Sequence, residues 1–472
     1  MKMIYDRICA SRVAALMLTV LAALSLSGCN NDEPKETIIP KIIGQSIITN
    51  DKNVSVEPRS IVILFNRDVV VGKSDAISFD PEVEFETETK DNALKINTLH
   101  PLQYATTYQL TIGQGAVCDK ETKGENTPRT ITFSTEKGPY VPPTEPTMKL
   151  VSDGASYEAQ ELYTFLWGIY GGATLSAAMA GANGWDLAEC EWIYKWTGNY
   201  PAIAAVDYSY LHLSPNKNID YRVTTHLEGW WGQGGIVAAN WNWMVPNSES
   251  GRTFTTEAER TDFDITNIVD TKSWEYGVVM SNLKEMADML LLLKEANIPV
   301  MWRPIPSASS KTSWWGEGGA EPYILLWTMM FDYFTERGLN NLIWVWSSLL
   351  GDIDFYPGEE YVDMVSISIF NKVHPAEVAN YHTNLKSLFP HKMVALADVG
   401  NLPSIPMQMD AGAEWSYVMP RYDELNDFSE NYRHAYAPIS WWRESMADPR
   451  VLTRKDLTRI KRLAQRSKLS AQ

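Results

Sequence analysis

The chain has 472 residues, with 41 Lys+Arg against 58 Asp+Glu and a formal net charge of −17. At ~100–200 residues per domain this length predicts two or three domains, and the acidic balance argues against a nucleic-acid partner, whose phosphates it would repel. Hydrophobic residues at 45% and charged residues at 21% exclude a disordered chain, and 18 Trp predict either heavy core packing or a ligand with flat apolar faces, such as a sugar ring.

In chain order, residues 1–28 read as a leader. Lys2, Arg7 and Arg12 precede an apolar run from Val13 to Leu26 that is too short to span a bilayer comfortably. The run ends in Leu26-Ser27-Gly28-Cys29, which resembles a bacterial lipobox, so Cys29 is expected to carry a lipid. Asn30-Asn31-Asp32-Glu33 resembles the export signal of Bacteroidetes surface lipoproteins. The expected location is therefore the outer membrane, facing the cell surface, with residues 29–37 as a tether. Cys118 and Cys190 fall in different predicted domains, so no disulfide framework is expected.

Every Trp lies at or after Trp167, which places a domain boundary before it. Residues 38–137 read as short alternating β runs (Ile42 to Ile48, Ser60 to Phe65, Leu94 to Asn97, Thr107 to Ile112, Arg129 to Ser134), the pattern of a small β-sandwich. Ile61 to Asn66, Leu102 to Tyr108, Val117-Cys118-Asp119 and Phe133-Ser134-Thr135 resemble a bacterial Ig-like domain, with the expected role of a spacer. Residues 138–148 are a Pro-rich, semi-rigid linker.

Residues 149–466 alternate apolar strand runs with amphipathic helices such as Asn282 to Ala296 and Tyr323 to Arg337. Eight strands are read at Ala173–Met179, Ala202–Tyr208, Gly235–Trp241, Pro299–Pro304, Asn341–Trp346, Asp363–Phe370, Lys392–Val399 and Pro438–Trp442. The fold class is α/β, a (β/α)8 TIM barrel behind an all-β Ig-like sandwich, and its chemistry is expected where strands end.

Those strand ends carry Gly198-Asn199-Tyr200-Pro201, Trp302-Arg303-Pro304, Trp314-Trp315-Gly316, Glu321-Pro322-Tyr323, Tyr356-Pro357-Gly358 and Trp441-Trp442-Arg443. Their order and spacing resemble glycoside hydrolase family 26, the β-mannanase family. The resemblance implies a retaining hydrolase of β-1,4-mannan or, in some branches, mixed-linkage glucan or β-1,3-xylan, using two carboxyls about 5–5.5 Å apart. It also implies departures here. Pro306 and Ser307 stand where the family has His and the acid/base Glu, and Asp398, in Val394-Ala395-Leu396-Ala397-Asp398, stands where it has the nucleophile Glu. Asn242 follows Trp241 in place of a His, Phe370 replaces a Tyr, and Arg421, in Met419-Pro420-Arg421, replaces a Trp.

Trp241, Trp302, Trp314 and Trp315 are the candidate sugar-stacking residues, with core packing as their alternative. Asn242, Phe370, Tyr417 and Arg421 are candidate ligand contacts. Arg303 either holds a ligand or pairs with Asp398. Glu317 is a candidate relocated acid or an exposed loop residue. The seven His form no ligand-spaced pair, and no metal or cofactor is expected. Three functions remain open: a surface lipoprotein whose barrel binds a β-linked polysaccharide or oligosaccharide without cutting it, a working endo-β-mannanase or related glycanase using Asp398, and a protein-interaction scaffold among outer-membrane glycan-uptake proteins.

Overall fold

Alternation builds the first unit. In Ser60–Phe65 every second residue, Ile61, Ile63 and Phe65, is fully buried, because successive side chains on a strand point to opposite faces. Ala93–Thr98, Thr107–Ile112 and Arg129–Thr135 repeat the pattern. Two four-stranded sheets result, one ordered Ile42–Gln45, Ser60–Phe65, Ala93–Thr98, Phe85–Lys90 and the other Asp51–Val54, Arg129–Thr135, Thr107–Ile112, Ile77–Asp80. Their inward residues share one core, as in an Ig-like sandwich. The strand Phe85–Lys90 escapes the sequence reading because its FETETK composition suits a solvated edge.

The computed structural model describes residues 37–136, 148–181, 185–216, 219–350 and 352–470. The leader, Cys29, the tether as far as residue 36, residue 137 and linker residues 138–147 lie outside them. The chain divides into two units, residues 1–139 and 140–472.

The second unit is a closed barrel of eight parallel strands: β1 (Thr174–Met179), β2 (Ile203–Asp207), β3 (Ile236–Trp241), β4 (Val300–Pro304), β5 (Leu342–Ser348), β6 (Met364–Ile367), β7 (Met393–Val399) and β8 (Tyr417–Pro420). Closure comes from β1, which pairs with both β2 and β8. Strands β1, β3 and β7 are buried along their whole length, since barrel strands are covered on both faces and lose the polar alternation of a half-solvated sheet.

Among the described residues the helices of eight or more residues are α1 (Tyr157–Ile169), α2 (Ala188–Thr197), α3 (Thr225–Gly232), α4 (Trp274–Glu295), α5 (Ala320–Glu336), α6 (Pro375–Leu388), α7 (Ile439–Ala447) and α8 (Thr458–Ser470). Serine side chains open two of them: Ser156 accepts from the Ala159 amide and Ser273 from the Tyr276 amide, satisfying first-turn donors. Helix α4 then buries Val279, Leu283, Met286, Leu290 and Leu293, a 3–4 residue period that turns one stripe to the barrel.

One strand expectation is corrected. Pro438–Trp442 is not the eighth strand; Ile439–Ala447 is helix α7, burying Ile439, Trp442 and Met446 at helical spacing. The eighth strand is Tyr417–Pro420, four residues closed by a proline, and unlike the equally short β6 it is not embedded in a longer apolar run.

Candidate active site

The C-terminal ends of the barrel strands converge on a cleft of about 510 Å³. Met179 from β1, Asp207 from β2, Asn242 beyond β3, Asp398 from β7 and Arg421 beyond β8 line it. The segment after β8 supplies Tyr422, Asp423, Glu424, Leu425 and Tyr436.

Asp398 sits at φ +65° in a bulge: Ala397 pairs with Met419 and Val399 with Pro420, leaving Asp398 outside the ladder. It is 8% exposed. Nε and Nη2 of Arg421 donate to its two carboxylate oxygens at 2.6 and 2.7 Å, the fork geometry that suits a planar guanidinium. The guanidinium lies 5.0 Å from the Phe370 ring centroid and 5.8 Å from that of Tyr436. Hydrogen bonding to Asp398, partly offset by burial, raises the Arg421 pKa further above the ordinary arginine range.

Asp207 was not singled out from sequence, although a charged residue closing the apolar run Ile203–Val206 was the available signal. Its carboxylate accepts from the Ser209 amide at 2.7 Å, from the Ser209 hydroxyl, and from Asn242 Nδ2 at 3.2 Å. Burial pushes its pKa up, against the lowering effect of the Ser209 bonds and of nearby Arg303. For Asp423 burial also pushes up, but the amides of Ala435 and Leu425 and the Tyr432 hydroxyl together outweigh it and hold the pKa low.

The four indoles expected to stack on sugar do not face the cleft. Trp241, Trp302, Trp314 and Trp315 are 1%, 0%, 1% and 2% exposed. Trp241 stacks on Trp243 at 3.9 Å, Trp314 Nε1 donates to the Trp243 carbonyl and Trp315 Nε1 to the Pro306 carbonyl. They are framework: Trp241 and Trp302 lie within strands β3 and β4, and the loop after β4 is held against the barrel through the bonds of Trp314 and Trp315. Arg303, 2% exposed, neither pairs with Asp398 nor lines the cleft; it donates to Asn240 Oδ1 at 2.7 Å and Ser347 Oγ at 3.3 Å.

Ser307 follows β4 at φ +58°, half-buried. Tyr417 is a buried residue of β8, while Phe370 is half-buried beside Arg421. Glu317 is exposed and is not among the cleft-lining residues, so it lacks the shielding a relocated acid needs. The cleft is thus rimmed by carboxylates with one engaged arginine and the half-buried rings of Tyr422 and Tyr436. That surface suits a neutral, hydroxyl-rich ligand, whose O–H groups donate to carboxylate oxygens.

Both units resemble known proteins. Residues 36–135 match the Bacterial Ig-like domain family. A mannan endo-1,4-beta-mannosidase of Thermothelomyces thermophilus is 30% identical over 56% of this chain and 55% of its own length. The chain spans about half the length of the curated relatives it matches. The crystal structure of the family 26 domain of an endo-beta-mannanase/endo-beta-glucanase from Prevotella bryantii superposes with TM-score 0.61 at 28% identity, over 66% of this chain and all of that one. A beta-mannanase from a symbiotic protist of the termite Reticulitermes speratus, complexed with gluco-manno-oligosaccharide, superposes with TM-score 0.60 at 29% identity, over 66% and 98%. Residues 151–446, more than half of the chain, match Glycosyl hydrolase family 26, and the chain belongs to that family.

Proposed function

We propose that the barrel binds a β-linked hemicellulose, a β-mannan or close relative, and no longer cleaves it. The observation that carries this reading is the bidentate Asp398–Arg421 pair, together with a serine at position 307. A carboxylate whose two oxygens are both held by a guanidinium is a poor nucleophile, and its stem is one methylene shorter than that of Glu. A ~1 Å misplacement of a reacting atom costs ~100-fold. The Ser307 hydroxyl does not serve as an acid near neutral pH, and losing general acid catalysis costs ~10²–10⁴-fold. Family membership and the mannanase relatives support the choice of β-mannan as ligand.

We further infer that the protein is held at the outer membrane by lipidated Cys29, with the Ig-like domain as spacer, and captures glycan for uptake. Reducing-end release from mannan at high protein concentration tests the loss of catalysis: turnover above ~1 s⁻¹, an ordinary enzyme rate, overturns it. Retardation in native gels containing soluble mannan, glucomannan or xylan tests binding. Loss of the protein from the membrane fraction on Cys29→Ala tests the anchor.

One observation favours a second reading, hydrolysis through a different acid: Asp207, its pKa raised by burial, shares the cleft with Asp398. If slow turnover is detected, Asp207→Asn abolishes it under this reading and leaves it intact otherwise.

A further inference from the structure

We propose that Tyr194 and Phe428 form a second glycan-binding clamp on the outer wall of the barrel, taking a β-linked sugar chain that extends from the cleft. The proposal rests on the sugar-binding reading above. A groove of about 460 Å³ lies between α2 and the segment after β8, with Trp192 at its base, Tyr194 and Phe428 on its sides and Glu191 and Lys195 at its rim. Tyr194 is 44% exposed and Phe428 43%. Two exposed aromatic rings flanking one groove leave considerable apolar surface in water for no gain in folding.

The Tyr194 ring and the Phe428 backbone are held in place. Tyr194 stacks on Tyr200 at 4.0 Å with planes 3° apart. Tyr200 is in turn covered by the Arg454 guanidinium at 3.7 Å, and its hydroxyl donates to Glu191 Oε2 at 2.8 Å. Phe428 has φ +58°, a left-handed conformation that is strained for an aromatic residue. Three hydrogen bonds hold it there. Its amide donates to Asn426 Oδ1 at 2.8 Å, Trp196 Nε1 donates to its carbonyl at 3.2 Å, and Trp192 Nε1 donates to the Ser429 carbonyl at 3.0 Å. Strain maintained by surrounding bonds, at a residue whose ring is not used in the core, points to a ligand contact.

The chemistry fits a pyranose. Its C–H faces pack on aromatic rings, and its hydroxyls can bond to the exposed Glu191 carboxylate and Lys195 ammonium at the rim. A stacked Tyr194 ring and a bonded Phe428 backbone lose little entropy on binding. Continuity with the cleft selects the occupant: Leu425, 82% exposed, lines the cleft, and Phe428 follows three residues later, within about 11 Å along the chain. A polymer leaving the cleft over Leu425 meets the clamp next.

The test uses the full-length protein in native gels containing soluble mannan, with glucomannan and xylan as parallels, comparing wild type with Phe428→Gly and Tyr194→Ala. Loss of one stacking ring is expected to weaken retention about five- to tenfold in each variant. Phe428→Gly should leave Tm unchanged or raise it, because glycine accepts the left-handed φ without strain. Retention within twofold of wild type in both variants overturns the clamp and leaves the cleft reading standing. Wild type that is not retarded by any of the three glycans overturns both.

Discussion

The Asp398–Arg421 pair should be a net stabilising contact, and a double-mutant cycle measures it. Arg421→Ala leaves the carboxylate, 8% exposed, without its counter-charge. Removing one partner of a buried pair costs ~3–5 kcal/mol, but the Arg421 side chain is 42% exposed, so water partly replaces the lost bonds and the cost falls to about 2–3 kcal/mol. About 0.5–1 kcal/mol of that belongs to the packing on Phe370 and Tyr436. Asp398→Ala frees the arginine into solvent and costs less. The coupling between the two changes should then be about 1–2 kcal/mol. Because every Trp lies at or after Trp167, intrinsic tryptophan fluorescence during urea unfolding follows the barrel without contribution from the Ig-like unit. Charges in direct contact are screened only in part even at 1 M salt, where the Debye length is ~3 Å, so most of the coupling should persist there. Coupling below ~0.3 kcal/mol would refute the reasoning. It would mean that water already solvates Asp398 in the native cleft, and the binding-only function would lose the observation that carries it.

Three further outcomes are expected. Asp363, 1% exposed, accepts from the amides of Trp344 at 2.7 Å and Val151 at 2.8 Å; burial pushes its pKa up to about 7, although those amides and Lys392 pull it down. The folded state therefore binds a proton that the unfolded state, with a carboxyl near ~3.9, has released. Barrel stability should fall as pH rises from about 4 towards 7 and level off above; Tm against pH checks this, and Asp363→Asn should flatten that stretch while lowering Tm overall, since one amide would lose its acceptor. Glu189 is buried under the segment after β8, accepting from Asn426 Nδ2 at 3.1 Å and lying 2.8 Å from His434 Nε2; Glu189→Ala should destabilise by ~3 kcal/mol and open residues 423–436 to limited proteolysis. If the proposed loss of catalysis at these positions is right, Ser307→Glu and Asp398→Glu in an Arg421→Trp background place two carboxyls in the cleft and free position 398 from its arginine, and reducing-end release from mannan should rise at least ~100-fold over the parent.

The sequence carries the barrel because its strands are local. Seven of them are short apolar runs between turn signals, and the structure places them within a few residues of their sequence positions. The eighth is lost for the opposite reason: Tyr417–Pro420 offers four residues, while Ile439–Ala447 presents a stronger apolar run that belongs to a helix. The tryptophans mislead in a related way. Composition and loop position suggest exposure, yet the burial of Trp314 and Trp315 is decided by where the loop after β4 folds back, through bonds to the Trp243 and Pro306 carbonyls. The site itself is non-local. Only the resemblance marks Asp398 as a shortened carboxylate and Arg421 as foreign to its motif, and nothing in either position announces the other. Their contact depends on a bulge that takes Asp398 out of register with β8. Asp207 meets Asn242 only because β2 and β3 lie side by side. The positions 307, 398 and 421 that the resemblance singles out therefore acquire their meaning from the closed barrel: the Arg421 guanidinium pairs with the Asp398 carboxylate, so under the proposed function the two act as one change.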